Sequence, residues 1–360
     1  MPTDLPQLDL DLCRERQQRL RAVLDTAKVE RAILTKPEQI QYFTGFRPHH
    51  LMTAVVVIAA DSCTLVAPNE EPARHAASKV NTFEAQWRCT LRQDQEHAAL
   101  DTIKDSLNGR IGIDRPLAAA IDDSRHVDIE PEILTLRRKK DPDEVDLIRH
   151  AISGTEAMYA HAKEIIKPGI NELHVFNELQ AAAVTAIGEP LTGTGNDYQA
   201  NSPGGPPRDR NAQDGELYIL DLGPAYRGYF ADNCRTFAVN GQPTDEQQKA
   251  RDIIQSVLDH VKATVKPGVS CADLFNDCKA MLDEYEQDSF FHHLGHAIGL
   301  YPHEAPHLNP AWDDTFAEGD VFTAEPGLYT EKLRAGIRIE EDYLVTADGV
   351  EQLTQFPTDL

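Results

Sequence analysis

Apolar residues recur at helical spacing across Leu12–Ala27, then bunch into extended runs at Arg31–Leu34, Ala54–Ala60 and Thr64–Ala67. A second helical pattern covers Gln95–Leu107, and the short run Ile111–Ile113 follows it. This alternation predicts an α/β unit, and no catalytic constellation falls within it. Beyond the basic stretch Leu134–Lys140, the residues Asp141-Pro142-Asp143-Glu144 read as a helix start. Asp141 caps, Pro142 takes the first helical position, where no N–H is needed, and Glu144 completes a capping-box pair. The helix should run to about Ile166 and end at Lys167-Pro168-Gly169. With 360 residues the chain is long enough for two cores. A boundary near residue 138 gives domains at 1–138 and 139–360.

The second domain repeats itself. Ile166-Lys167-Pro168-Gly169-Ile170 with Leu173 and Phe176-Asn177-Glu178 recurs as Val265-Lys266-Pro267-Gly268-Val269 with Leu274-Phe275-Asn276-Asp277. In each copy a helix ends at Lys-Pro-Gly, another helix follows, and an apolar strand carrying a carboxylate comes later. The first copy supplies Asp221 in Tyr218-Ile219-Leu220-Asp221 and then Asp232; the second supplies Glu325 in Phe322-Thr323-Ala324-Glu325 and then Glu340. Two related halves folded face to face would bring four carboxylates to one place.

A buried carboxylate must be protonated, paired with a cation or bound to a metal. Four that share a site stay ionised only beside concentrated positive charge, such as two divalent ions. An imidazole should come from Phe290–His307, which holds five of the fourteen histidines: His292, His293, His296, His303 and His307. Oxygen donors with one imidazole suit manganese, cobalt, iron or zinc. No glutamate follows His292, so the spacing is not H-E-x-x-H, and G-x-S-x-G and phosphate-loop patterns are absent. The glycines near 193–195 and 204–205 read as turn residues.

Composition narrows the partners. Acidic residues outnumber basic ones 59 to 35, a field that repels nucleic-acid backbones and anionic lipid. The start of the sequence lacks a basic segment followed by an apolar one, and six scattered cysteines suit reduced thiols, so a cytoplasmic protein is expected.

The arrangement Asp221…Asp232…Gly295-His296…Glu325-Pro326-Gly327…Arg338-Ile339-Glu340 resembles the pita-bread metallopeptidases: Xaa-Pro dipeptidase (prolidase), aminopeptidase P and their non-peptidase relative creatinase. The resemblance covers almost the whole chain. It implies a creatinase-like α/β N-terminal domain and an α+β pita-bread catalytic domain with an internal pseudo-two-fold duplication. It further implies that Asp221 chelates one ion, that Asp232 and Glu340 bridge two, and that His296 and Glu325 complete the second. A water between the ions would become a nucleophilic hydroxide and attack the scissile amide carbon. Glu325 would shuttle its proton to the leaving nitrogen, His303 would steady the tetrahedral intermediate, and His292 would be a second pocket histidine. Arg338 would orient a ligand carboxylate. Manganese and a homodimer follow from the same resemblance, with a small peptide or other small amide as substrate. His293, His307 and Arg334 read as ordinary pocket-wall or surface residues.

Two departures stand out. The family's peptidases usually carry a substrate-binding histidine some seventeen or more residues before the first aspartate; residues 192–213 contain none, and Gly204 is near its place. Cys234 stands where the family has a hydroxyl residue bonded to a ligand, and a thiol is a weaker donor. Neither touches a metal ligand. The expected reaction is therefore hydrolysis of an Xaa-Pro amide bond. The alternatives are a metal-dependent hydrolase or lyase of a small non-peptide substrate, and a non-catalytic binding protein on the same fold. Methionine aminopeptidase would not match the N-terminal domain, and creatinase works without metal.

Overall fold

Asp9 caps the leading helix, its Oδ1 accepting from the N–H groups of Asp11 and Leu12 at 2.7 and 3.2 Å, so the helix spans Leu10–Ala27 and starts earlier than its apolar pattern. The computed structural model describes residues 5–118, 123–195, 197–334 and 336–360. They form two units: Gln7–Arg137, and Arg138–Leu360 with the short segment that ends at Pro6.

The first unit is built on a six-stranded mixed sheet in the order Lys79–Phe83, Cys63–Pro68, Val55–Ala59, Arg31–Leu34, Ile111–Ile113, His126–Asp128. The apolar runs become its inner strands. The helix expected over Gln95–Leu107 stops at Asp101, and a 3₁₀ turn at Lys104–Leu107 follows. Asn81 Nδ2 donates to the Thr102 carbonyl at 3.2 Å and diverts it from the helical ladder, while Ile103 turns into the core.

In the second unit Pro142 opens the helix Pro142–Ile165, and the N–H of Asp141 donates to Glu144 Oε2 at 3.0 Å. That helix and Glu172–Ile187 pack with the three-stranded sheet Cys234–Ala238, Leu217–Asp221, Asp197–Ala200. Asp245–Thr264 and Cys271–Asp283 pack with the five-stranded sheet Glu304–Leu308, Gly295–Ala297, Val321–Ala324, Glu341–Val345, Val350–Gln352.

The duplication is written in the backbone. Gly169 N donates to Ala212 O at 2.7 Å and Ala212 N to Ile170 O at 2.8 Å; Gly268 N donates to Phe316 O at 2.8 Å and Phe316 N to Val269 O at 3.0 Å. Both glycines sit at φ near +90°, which a side chain adopts only with strain. The matching turns end at Gly215-Glu216 and Gly319-Asp320. There Glu216 Oε2 accepts from Gln213 N at 2.8 Å and Asp320 Oδ2 from Ala317 N at 2.7 Å. Asp221 and Glu325 are thus equivalent. The second carboxylates are not: Asp221 pairs with Cys234, whereas the ladder that pairs Ala324 with Glu341, extended by one residue, sets Glu340 opposite Glu325. Cys234, not Asp232, is the register counterpart of Glu340.

Candidate metal centre

Five side chains meet where strands end. Asp221 is the last residue of Leu217–Asp221, and Glu325 follows Val321–Ala324. Asp232 precedes Cys234–Ala238, His296 is central in Gly295–Ala297, and Glu340 lies between Ile337–Arg338 and Glu341–Val345. Gly295 lets His296 come in: a Cβ at 295 would lie 2.1 Å from the Thr323 carbonyl oxygen. Potential ligand atoms of Asp221, Asp232 and Glu340 lie within 4.8 Å of one another, and so do those of His296, Glu325 and Glu340. Glu340 belongs to both groups.

Their electrostatics are those of crowded, dehydrated acids. Burial, opposed by Arg338 and reinforced by Asp197, raises Asp221 to about 6. Burial and then the neighbouring carboxylates push Asp232 and Glu340 well above their ordinary values. For Glu325 burial also pushes upward, but the His293 hydrogen bond and the surrounding imidazoles overcome it and hold the carboxyl at about 2. Burial depresses His296 to about 3 and keeps its imidazole neutral, as metal ligation requires. Its Nε2 lies 3.7 Å from both Asp232 Oδ2 and Glu325 Oε1, and Nδ1 is 3.2 Å from the Ala297 carbonyl oxygen.

His292, His293 and His303 form the rim. His303 is exposed and stacks on His296, ring centroids 3.7 Å apart at 15°. His292 Nε2 is 2.8 Å from Tyr329 Oη, and burial depresses its pKa to about 4. His293, expected to be an ordinary wall residue, has its Nε2 2.9 Å from Glu325 Oε1 and so touches the centre directly. Only its i−3 spacing from His296 hinted at this. His307 pairs with Asp314 at 3.0 Å, and exposed Arg334 reaches the Asp214 carbonyl oxygen at 3.4 Å.

Arg338 is buried among acceptors. Its Nη2 donates to Asp221 Oδ2 at 2.8 Å and to Asp197 Oδ2, and its Nη1 donates to Tyr329 Oη and the Pro203 carbonyl, both at 3.1 Å. Thr236 Oγ1 braces the Arg338 main chain, donating to its carbonyl at 3.0 Å and accepting from its N–H at 3.1 Å. Cys234 is buried, and its carbonyl oxygen accepts from Glu340 N at 3.0 Å.

Asp197 is the residue that sequence reasoning missed. Its Oδ1 accepts from Gly205 N at 2.6 Å, and a Cβ at Gly204 would lie 2.3 Å from its Oδ2. The place near which a histidine was expected is filled by this carboxylate.

The donor set fits two divalent cations. Four carboxylates and a neutral imidazole converge, and Glu340 Oε2 is buried with no hydrogen-bond partner, an expensive state for an acceptor unless a cation takes it up.

Residues 16–138 match the creatinase/prolidase N-terminal domain and residues 146–347 match metallopeptidase family M24. An uncharacterized peptidase of Staphylococcus epidermidis is 29% identical, over 94% of this chain and 98% of its own. An Xaa-Pro dipeptidase of Pyrococcus furiosus is 26% identical, over 96% of this chain and 99% of its own. The solved structure of an Xaa-Pro dipeptidase from Bacillus anthracis superposes with a TM-score of 0.82 at 24% identity, covering 97% of this chain and 99% of that one. The architecture is therefore the two-domain pita-bread arrangement expected from the sequence. Among the described residues no helix is long and apolar enough to cross a membrane. On these matches the chain belongs to metallopeptidase family M24, with a creatinase/prolidase N-terminal domain ahead of its catalytic part.

Proposed function

We propose that this chain hydrolyses the amide bond before proline in small peptides, using two divalent ions held by Asp221, Asp232, His296, Glu325 and Glu340. The observation that carries this reading is the convergence of these donors around Glu340, whose Oε2 is buried without a hydrogen-bond partner. When bound, the ions would polarise the scissile carbonyl and lower the pKa of a shared water to near neutrality.

The residues divide the remaining work. Glu325, held ionised by His293, accepts a proton at a carboxylate oxygen and delivers it to the leaving nitrogen. His303, exposed at the rim, offers a ring N–H to the developing oxyanion. His292 is steered by Tyr329, and exposed Phe291, its ring 4.8 Å from that of Tyr329, gives the rim an apolar surface for a prolyl ring. Arg338 fixes Asp221 by a charged hydrogen bond.

The test is hydrolysis by manganese-loaded protein of an Xaa-Pro dipeptide, an Xaa-Pro-Xaa tripeptide and the same peptides with alanine in place of proline. Cleavage confined to the proline peptides is expected, and cleavage of none of them would sink the reading. A second reading, a hydrolase of small non-peptide amides, draws support from Asp197 filling the place near which a histidine was expected. Turnover of N-acyl or cyclic amides without turnover of proline peptides would establish it.

A further inference from the structure

The mouth of the centre can be traced from partial exposure. Asp197, Asp221 and Asp232 keep 17, 15 and 14% of their side-chain surface, whereas His296 keeps 3%. His292 and His293 keep 21 and 30%, so Asp197 borders the mouth together with these imidazoles. In a dipeptide the terminal carboxyl carbon sits about 2.5 Å from the leaving nitrogen, so its charge must be accommodated beside the centre. The natural partner for that charge is a guanidinium or an ammonium group.

Among the described residues, Arg338 is the one arginine or lysine whose side chain hydrogen-bonds a side chain of this centre, and both of its Nη groups are engaged. Nη2 serves Asp197 and Asp221, Nη1 serves Tyr329 and Pro203, and Nε is buried without a hydrogen-bond partner, 3.9 Å from Glu325 Oε2. The charge balance points the same way. Four ligand carboxylates match two divalent ions and a hydroxide between the ions would match Arg338, so Asp197 gives the site a net negative charge that disfavours an anion.

We propose that Asp197 is a specificity-determining residue that occupies Arg338 and turns this wall of the site against a free carboxylate next to the scissile bond. The favoured substrates are peptides or amides that continue, or are blocked, on the leaving-group side, and free dipeptides are disfavoured. The Gly204-Gly205 turn is part of the device. Gly205 N anchors Asp197, and any side chain at 204 would displace its carboxylate. Arg208 clamps the same loop, with Nε donating to Glu172 Oε2 at 2.9 Å and Nη2 to the Ala200 carbonyl at 2.8 Å.

This inference rests on the peptidase reading, and its test separates the two. Manganese-loaded protein is titrated by calorimetry with the reduced-bond, non-hydrolysable analogues of Ala-Pro and Ala-Pro-amide, and hydrolysis of the two parent compounds is measured alongside. Wild type should bind the amide analogue at least ~10-fold more tightly than the acid, and the same preference should appear in KM rather than kcat. Asp197→Asn, which keeps shape and removes charge, should bring the two analogues to within about 2-fold by improving the acid. Asp197→Ala serves as a second variant, with melting temperature as a check on folding. Equal affinities in wild type, or equal losses on both analogues in the variants, overturn the proposal even if proline substrates are cleaved. The expected binding order without cleavage of either parent leaves it standing and removes the peptidase reading.

Discussion

The two halves of the catalytic unit share a frame and differ in what they hang on it. Both close the Lys-Pro-Gly turn on the segment before the sheet with the same pair of hydrogen bonds, and both end a strand in a carboxylate. The first half then spends its loop on Gly204, Gly205 and Asp197, whereas the second places His292, His293 and His296 around Glu325, with His303 stacked on His296. Backbone hydrogen bonds tolerate many sequences, so the frame persists, while chemistry is decided by side chains at strand ends and in loops. Ligands come from both halves, and the second carboxylates come from non-equivalent positions.

The sharpest way to break the comparison is to remove one carboxylate from each half. Asp232→Ala and Glu340→Ala should each abolish hydrolysis, by at least ~10³-fold, while circular dichroism stays native. Near-normal turnover in either would sink the bridging role assigned to that carboxylate. His303→Ala should lower kcat by about 10²–10³-fold and leave metal stoichiometry unchanged. An unchanged kcat would reduce the second half's contribution to its ligands His296, Glu325 and Glu340.

Stability tests the same contrast through protons. In metal-free protein Asp232, Glu340 and His293 have raised pKa values, so the folded state holds more protons than the unfolded one. Stability should then fall as pH rises above about 7.5. The depressed His292, His296 and His303 do not oppose this, because above about 7.5 they are neutral in both states. Manganese should flatten the trend; a metal-free melting temperature that rises over this window would contradict the assigned burial. The smallest effect sharpens the comparison. Gly169→Ala and Gly268→Ala, each with open space for a Cβ, should cost the same ~1 kcal/mol in urea denaturation, because only φ is strained. Unequal losses would show that the frames are not equivalent.

Much of this was legible in the chain itself. Asp221 and Glu325 announce themselves because an acid ending an apolar strand is costly, and the Lys-Pro-Gly repeat pairs the two halves. The later carboxylates looked equivalent because order along the sequence does not carry register. Asp197 was invisible because it lies in a polar, Gly- and Pro-rich stretch and gains meaning from Arg338, 141 residues on. The helix Pro37–Thr44 went unseen for a different reason: six of its eight residues are buried, which erases the amphipathic stripe.

The turn that ties Gly169 to Ala212, and its twin from Gly268 to Phe316, also set an order of assembly. Each closes a loop within its own half, so each half can gain protection before the other is in place. Many links between the halves gather beside the ligands: Arg338 to Asp197, Asp221 and Pro203, Thr236 to Arg338, Glu340 N to Cys234 O, and the buried ion pair of Arg235 with Glu341 at 2.6 Å. Because its ligands come from both halves, the centre is complete only once the halves have docked. In hydrogen exchange the amide of Glu340 should become protected after those of Ala212 and Phe316, so that metal affinity appears in step with docking of the halves rather than with their formation.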